Sequence, residues 1–251
     1  MSFDAVFLFS FAMVFIRCSA MLLSSPLFGS QNTPVQIRIF TTLAISAALT
    51  MVVQPDIGKP PVDLYGLLSF ATQEAVAGLL IGSFISLALQ AAQIAGAIMD
   101  TQLGLSMSQV LNPVNGISVT VLSQFKHMLA VVVLFNANGH HTMIQAFAHS
   151  YTAMPTLSLA AVTSGLAQML SSVCLLAVQI AAPVLGVSLV IDAAMGVINK
   201  AVPQMQVFLV AAPAKTAMGL IAVALTLPAL VSAVTDGVQM SMQHLSSIFR
   251  M

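Results

Sequence analysis

Charged side chains are scarce in this sequence. Only seven of its 251 residues are Lys or Arg and seven are Asp or Glu, so 6% of the chain is charged, whereas soluble domains carry about 25%. Hydrophobic residues reach 59%, and the formal net charge is zero. So few charges cannot cover the surface of a water-soluble globule, and a neutral chain has no electrostatic attraction to nucleic acid. The surface therefore faces lipid or other protein.

Tryptophan is absent, and tyrosine occurs only at Tyr65 and Tyr151. Membrane-spanning helices usually carry belts of Trp and Tyr at both water interfaces. The two cysteines, Cys18 and Cys174, lie in separate apolar runs without C-x-x-C spacing, and we interpret them as small core residues. These scarcities argue against a redox or zinc site and weaken the case for conventional anchoring in a bilayer.

Catalytic motifs are missing as well. The sequence has no G-x-S-x-G elbow, no glycine-rich phosphate loop and no H-E-x-x-H metal motif. His140 and His141 are adjacent, so their side chains point in different directions on any regular element, and we interpret them as a polar helix end. We therefore expect neither an enzyme nor a bound cofactor or metal.

Long apolar runs dominate what is present. A helix needs ~20 residues to cross a hydrocarbon core of ~30 Å, and runs near or above this length cover residues 3–28, 37–53, 64–99, 125–147, 157–190 and 205–234. Pro183 and Pro213 fall inside the last two runs and are expected to kink them. The sequence therefore predicts an all-α integral membrane protein of about six long, partly kinked helices in one body.

The longest connector between these runs covers residues 104–120. It has turn residues at its middle but is too apolar for a solvated linker. Long loops inside a compact protein are usually functional or disordered, and the flexible side chain of Met107 could deform to form a seal. The candidate loop residues are Gly104, Leu105, Ser106, Met107, Val110, Leu111, Asn112, Pro113 and Val114.

Several charges lie inside or beside the apolar runs, where each costs ~2.5–3.5 kcal/mol at a membrane centre. Arg17 is roughly 16 Å or more from either end of its helix, and Glu74 lies in the third run. Asp192 and Lys200 are eight residues apart, about 12 Å along one helix. Their partners, and that of Lys215, must therefore lie on other helices or other chains. Structural ion pairs and a direct role in moving ions or substrate are both open interpretations.

Small residues in the third run predict close helix packing. Gly78 and Gly82 form a G-x-x-x-G spacing, and Ala92 with Gly96 continues the pattern. A helix face without side-chain bulk lets a neighbouring backbone approach closely. We therefore expect this run to pack tightly against another helix.

The C-terminal half contains the most specific string in the chain. Residues 183–208 read PVLGVSLVIDAAMGVINKAVPQMQVF and are followed by Pro213-Ala-Lys215. This string resembles the FliR family, the export-gate proteins of flagellar type III secretion, whose injectisome counterparts are called SctT. Lys200 stands where that family more often has Arg, and Ala211 where it often has Gly. The matching positions are Pro183, Asp192, Gly196, Asn199, Lys200, Pro203, Gln204, Pro213 and Lys215.

The resemblance extends over nearly the whole chain. Asn138-Gly139-His140 is closer to the flagellar branch than to the injectisome branch, whereas Asn112 precedes Pro113 where the family commonly has Asp. The matching positions in the N-terminal half are Arg17, Pro26, Phe28, Pro34, Arg38, Glu74, Gly78, Gly82, Gly96, Asp100, Gln102 and Gly104.

The resemblance implies both an architecture and a function. A chain of this family resembles one FliP joined to one FliQ, here residues 1–125 and a C-terminal part, residues 126–251, that includes a FliQ-like helical hairpin. It implies a core pore built with FliP and FliQ, on which FlhB docks and which FlhA feeds. Unfolded flagellar proteins would cross the bacterial inner membrane there, at the flagellar basal body. The loop at 104–121 would be the plug of the closed pore.

Charge burial and the resemblance together assign two sets of structural residues. Glycines expected in helix packing are Gly78, Gly82, Gly96 and Gly196. Residues expected in buried or intersubunit polar contacts are Arg17, Arg38, Glu74, Asp100, Asp192, Asn199, Lys200, Pro203, Gln204 and Lys215.

Two alternatives to a flagellar gate subunit remain at this point. An injectisome SctT subunit would share the mechanism and differ in its partners. A secondary transporter would also use broken helices and buried charges, but it predicts inverted repeats, and the sequence suggests none. Lipid is an expected contact in every case, and nucleic acid in none.

Overall fold

The computed structural model describes residues 5–25, 34–53, 61, 63–106, 120–152, 159–202 and 207–249. Over these ranges the chain is helical and has no strand, which confirms the all-α prediction. Eight helices occur there, rather than about six. They are α1 (Ala5–Ser24), α2 (Val35–Val53), α3 (Leu64–Leu103), α4 (Val121–Asn136), α5 (Gly139–Thr152), α6 (Leu159–Ala201), α7 (Val207–Leu225) and α8 (Leu227–Phe249).

The predicted fourth run is divided into α4 and α5 because the chain turns at Asn138. This residue has a left-handed backbone conformation, with φ of 56°, which Asn tolerates better than most residues. Its N–H donates to the Phe135 carbonyl oxygen at 3.1 Å, and its own carbonyl oxygen accepts the N–H groups of His141 and Thr142. Apolar residues continue beyond the turn, so the length of the run does not reveal it.

The last predicted run is longer than expected and is bent. α7 and α8 meet at Thr226 with a bend of 49°, and α8 continues to Phe249. Pro228 lacks the N–H that would bond to the Ala224 carbonyl oxygen, so a regular helix is interrupted at this point. Pro183 and Pro213 lie inside α6 and α7.

Four helices of the described chain contain segments long and apolar enough to cross a membrane. These segments are Val6–Ser24, Val35–Val53, Leu64–Leu103 and Val162–Ala201, and the bent α7–α8 pair makes a fifth if it counts as one span. At 1.5 Å per residue, the 40 residues of α3 extend about 60 Å, roughly twice the hydrocarbon thickness. One part of α3 therefore lies outside any single bilayer core.

The chain divides into two compact units. Unit 1 comprises the described parts of Met1–Leu87, Phe135–Leu170 and Val238–Met251, and unit 2 those of Ala88–Leu134 and Ser171–Gly237. Large buried side chains form the core of each unit. In unit 1 they include Met21, Ile81, Phe84, Phe147 and Met169, and in unit 2 Leu89, Met99, Leu134, Ile180 and Val184.

The two cysteines differ in their surroundings. Cys18 is buried in unit 1, as expected, but Cys174 is exposed in unit 2, so its assignment to the core is wrong. Cys174 lies on a face of α6 that the described chain leaves uncovered, next to the exposed Leu175 and one turn before the exposed Val178. Apolar character alone does not show whether a helix face is covered by the same chain.

Candidate functional site

Arg17 and Glu74 form a buried ion pair in unit 1. The Arg17 Nε donates to Glu74 Oε2 at 2.6 Å and its Nη2 to Oε1 at 2.9 Å, which is the bidentate geometry that guanidinium and carboxylate favour. Arg17 is 2% and Glu74 1% exposed. The pair joins α1 to α3 and offsets the cost of burying each charge alone.

Two side chains of α5 complete this arrangement, which we call the Arg17 cluster: Arg17, Glu74, Ser150 and Tyr151. The Arg17 Nη1 donates to Ser150 Oγ at 2.7 Å, and the guanidinium carbon lies 3.7 Å from the centroid of the Tyr151 ring. The Tyr151 hydroxyl donates to Glu74 Oε2 at 3.1 Å. Burial raises the pKa of the Tyr151 phenol above its usual range, so it keeps the proton that it donates. The sequence offered no spacing that linked α5 to this pair.

Gly78 and Gly82 lie on the same face of α3 as Glu74, one and two helical turns further on. A Cβ at Gly78 would fall on the Arg17 carbonyl oxygen, and one at Gly82 would fall on the Met21 carbonyl oxygen. The two glycines thus allow α1 to approach α3 closely. This close approach brings the Arg17 guanidinium within reach of the Glu74 carboxylate.

Asp100 closes the base of the 104–120 loop in unit 2. Its Oδ2 accepts the N–H groups of Leu122 at 2.9 Å and Ser123 at 3.1 Å, which are among the free N–H groups in the first turn of α4. The Ser123 Oγ donates to the Gln93 carbonyl oxygen at 2.9 Å. A Cβ at Gly96 would meet the backbone of Leu122 and Ser123. We call these five residues the loop-base clasp, since they hold the start of α4 against the end of α3.

The chain leaves α3 through a turn at Gly104. This glycine has a φ of +75°, and its Cβ position is open, so the residue is required for its backbone conformation and not for space. The Leu105 N–H donates to the Asp100 carbonyl oxygen at 3.0 Å, and Ser106 ends the described turn. The remaining candidate loop residues lie outside the described residues. They are Met107, Val110, Leu111, Asn112, Pro113 and Val114.

The charged candidates of the C-terminal half lie on α6 and α7. Lys215 Nζ donates to Asp192 Oδ2 at 2.8 Å and Oδ1 at 3.0 Å, and Asp192 is 58% exposed. Asn199 and Lys200 are exposed, and a Cβ at Gly196 would meet nothing within 4 Å. The segment of α6 beyond Asp192 therefore leaves Gly196, Asn199 and Lys200 uncovered by the described chain.

Three further candidates complete the set predicted from the sequence. Arg38 lies on α2 and is half-buried. Pro203 and Gln204 lie outside the described residues. The structure therefore brings Arg17 together with Glu74, and Asp192 together with Lys215, and it places Asp100 and Gly96 at the base of the loop.

Lys126 is a buried charge that the sequence reasoning did not single out. It lies on α4 and is fully buried, and its Nζ donates to Thr226 Oγ1 at 2.6 Å. A lysine inside the apolar helix VLSQFKHMLAVVVLFN was the available signal. It was missed because Lys126 lies near the start of its run, where a charged side chain is ordinarily solvated.

Comparison with known proteins gives the family. A family model described as "Bacterial export proteins, family 1" matches residues 8–241. The chain belongs to this family of bacterial export proteins. It is 34% identical over 228 residues to the flagellar biosynthetic protein FliR of Caulobacter vibrioides, covering 90% of this chain and 91% of that one. With FliR of Bacillus subtilis it shares 31% over 222 residues, 84% of this chain and 83% of that one.

The chain also has relatives with names other than FliR. The surface presentation of antigens protein SpaR of Shigella sonnei is 26% identical over 216 residues, covering 86% of this chain and 84% of that one. The predicted resemblance to the FliR family is confirmed. The chain is thus an all-α membrane protein of a bacterial export family. The Arg17 cluster and the loop-base clasp are the two main sets of buried, hydrogen-bonded polar residues in the described part of this export protein.

Proposed function

We propose that this chain is the FliR-type subunit of the flagellar protein export gate. It forms the core pore with FliP and FliQ subunits in the bacterial inner membrane, at the flagellar basal body. Unfolded flagellar proteins pass through that pore. Family membership and the identity to two FliR proteins over most of their length support this proposal.

The loop-base clasp is the observation that carries the gating role. Asp100 fixes the first turn of α4, and Gly96 lets that turn lie against α3. Both ends of the apolar loop at 104–121 are thus held in place. An apolar segment on a fixed base is suited to seal a closed pore against ions, and we assign it as the plug.

The placement of charge supports a structural role and not an ion path. The Arg17 and Glu74 side chains form hydrogen bonds with one another and with the Ser150 and Tyr151 hydroxyls. A proton relay needs groups that exchange hydrogen-bond partners. The bidentate Arg17–Glu74 pair is held between three helices and does not exchange partners. The Arg17 cluster therefore holds α1, α3 and α5 together.

The uncovered part of α6 supports assembly with other subunits. Val197 is 68% and Leu189 70% exposed, and Lys200 and Asn199 lie on the same segment. Apolar surface rimmed by polar groups marks an interaction site. We propose FliP and FliQ as the neighbours here, with FlhB and FlhA acting on the assembled gate. Within this chain we propose residues 1–125 as the FliP-like part and residues 126–251 as a C-terminal part that includes a FliQ-like helical hairpin.

A second candidate is the corresponding subunit of a virulence type III system. The similarity to SpaR favours it, but at 26% identity it is weaker than the 34% shared with FliR. Membership of the export family argues against a secondary transporter. Co-purification with the FliP and FliQ of the same organism distinguishes a flagellar subunit from a virulence one.

Deletion of residues 104–114 tests the gate. The truncated chain should still co-purify with FliP and FliQ, but cells that carry the complex should leak ions, seen as membrane conductance. A matched control replaces the same residues by a Gly-Ser linker of equal length. It should leak as well, because the seal depends on apolar side chains and not on chain length. Unchanged conductance in both variants would remove the plug assignment.

A further inference from the structure

Lys126 occupies a costly position in unit 2. Its side chain is fully buried, and its ammonium group donates to the hydroxyl of Thr226 at 2.6 Å. The two ion pairs found among the described residues are Arg17–Glu74 and Lys215–Asp192, so Lys126 has no carboxylate partner in this part of the chain. A buried cation with only a hydroxyl partner costs free energy. Its location therefore calls for an explanation.

Thr226 is the residue at which α7 ends and the chain bends into α8. Its Oγ1 donates to the Val223 carbonyl oxygen at 2.6 Å, and its N–H is shared between the Ala222 and Val223 carbonyl oxygens at 3.1 Å. The last carbonyl groups of a helix carry partial negative charge, which attracts a cation. Lys126 is thus seated at the electronegative end of α7, where it is hydrogen-bonded to the residue at the bend.

The same helix also reaches the other end of the loop. The Thr216 Oγ1 lies 3.3 Å from the carbonyl oxygen of Leu103, the last residue of α3. A Cβ at Gly219 would meet the Leu103 side chain. Thr216 and Thr226 are ten residues apart, about 15 Å along the helix. α7 therefore contacts the chain just before the loop through Thr216 and Gly219, and α4 just after it through Thr226.

We infer that Lys126 and Thr226 form a latch that couples the bend between α7 and α8 to the position of the loop base. Lys126 lies one helical turn after Leu122, which the clasp holds through Asp100. A change in the bend moves Thr226, and through Lys126 it moves the start of α4 relative to the end of α3. Lys126 is thus a positioning residue for the plug, and this inference rests on the proposed gating role of the loop.

Three variants in the complete apparatus test the latch. Lys126→Met removes the ammonium group and keeps the length of the side chain. Thr226→Val removes the hydroxyl and keeps the shape, and Thr226→Ser restores the hydroxyl. Thr235→Val, at a half-buried position of α8, is the matched control for loss of a threonine hydroxyl whose hydrogen bonds are to its own helix.

The readout is the rate at which a maleimide labels a thiol introduced by Ser106→Cys, in a chain that also carries Cys18→Ala and Cys174→Ser. We expect Lys126→Met and Thr226→Val each to raise the labelling rate and the membrane conductance about tenfold, the loss that one charge-assisted hydrogen bond represents. The double variant should be no worse than the single ones. Thr226→Ser and Thr235→Val should label at the wild-type rate.

Two results would overturn the latch. One is wild-type labelling in a normally assembled Lys126→Met complex, and the other is an additive effect in the double variant. If Lys126→Met does not assemble, Thr226→Val is compared with Thr226→Ser instead. Equal labelling rates in these two variants would overturn the latch. A failed plug gives a different pattern: the 104–114 deletion would not leak, while labelling at position 106 would still respond to Lys126→Met.

Discussion

Asp100 caps a helix to which it does not belong: its Oδ2 accepts the N–H of Leu122 at 2.9 Å, across 22 positions of the chain. A capping side chain normally stands directly before the helix that it caps. Here the cap lies at the end of α3, and the predicted loop lies between the cap and α4 in the sequence. Asp100 therefore belongs to the helix before the loop and caps the helix after it, so one residue fixes both ends of the loop.

Asp100→Ala should loosen the start of α4. Loss of an N-terminal cap costs about 0.5–2 kcal/mol, so the amides of Leu122 and Ser123 should exchange with solvent roughly tenfold faster. Hydrogen exchange followed by mass spectrometry of the purified complex measures this. Asp236→Asn, at an exposed site on α8, is the control and should leave exchange in α4 unchanged. Equal protection of α4 in Asp100→Ala would show that the cap is not needed.

Glu74→Gln should strongly destabilise unit 1. The substitution leaves Arg17 buried with its charge uncompensated, and breaking a buried pair in this way costs about 3–5 kcal/mol. The thermal midpoint of the solubilised complex should fall, and less of the chain should accumulate in membranes. The double substitution Arg17→Met with Glu74→Leu should recover much of the loss, because it removes both charges. A double variant no better than Glu74→Gln would mean that the pair has a role beyond mutual neutralisation.

Gly78→Ala should separate α1 from α3. The new methyl group would fall on the Arg17 carbonyl oxygen, and the backbone shift that relieves it costs about 1–3 kcal/mol. Gly186→Ala is a matched control in α6, where a Cβ meets nothing within 4 Å. There Ala should stabilise by up to about 1 kcal/mol through helix propensity. Thermal unfolding of the two variants should therefore shift in opposite directions, and a shared direction would contradict the close contact.

The fold class could be predicted from composition and run length, because apolar runs of about 20 residues are long enough to cross lipid as helices, which satisfy their own backbone polar groups. Thr226 could not be predicted as a turn in this way, since the apolar run continues through it, whereas the turn at Asn138 lies beside the polar helix end expected at His140 and His141. Arg17 and Glu74 could be recognised as costly charges, but their pairing depends on the Gly78 contact, which joins residues far apart in sequence. The roles of Ser150 and Tyr151 could not be predicted from the sequence. Hydroxyl side chains are common at helix ends, and only the structure shows that these two lie beside the Arg17 guanidinium.

Burial gives Lys126 a measurable pH signature. It lowers the pKa of this ammonium group from 10.5 to about 8, so between these values the unfolded chain binds more protons than the folded one. Stability must then rise as the pH increases from 8 to 10.5, and Lys126 contributes no pH dependence below that window. The thermal midpoint of the wild-type complex should rise relative to that of Lys126→Met over this interval. Parallel curves for the two proteins would show that Lys126 is not desolvated in the assembled complex.

Lys200→Ala should affect assembly and leave the fold of the chain intact. Lys200 is exposed at the end of α6, so its removal should break no contact within the described part of either unit, and membrane levels should be unchanged. If this segment of α6 receives a FliP or FliQ subunit, the variant should fail to co-purify with them. Asp236→Asn again serves as the control for loss of an exposed charge, and it should assemble normally. Lys200→Arg keeps the positive charge and should keep the complex, and its failure to do so would argue against a simple charge contact at this position.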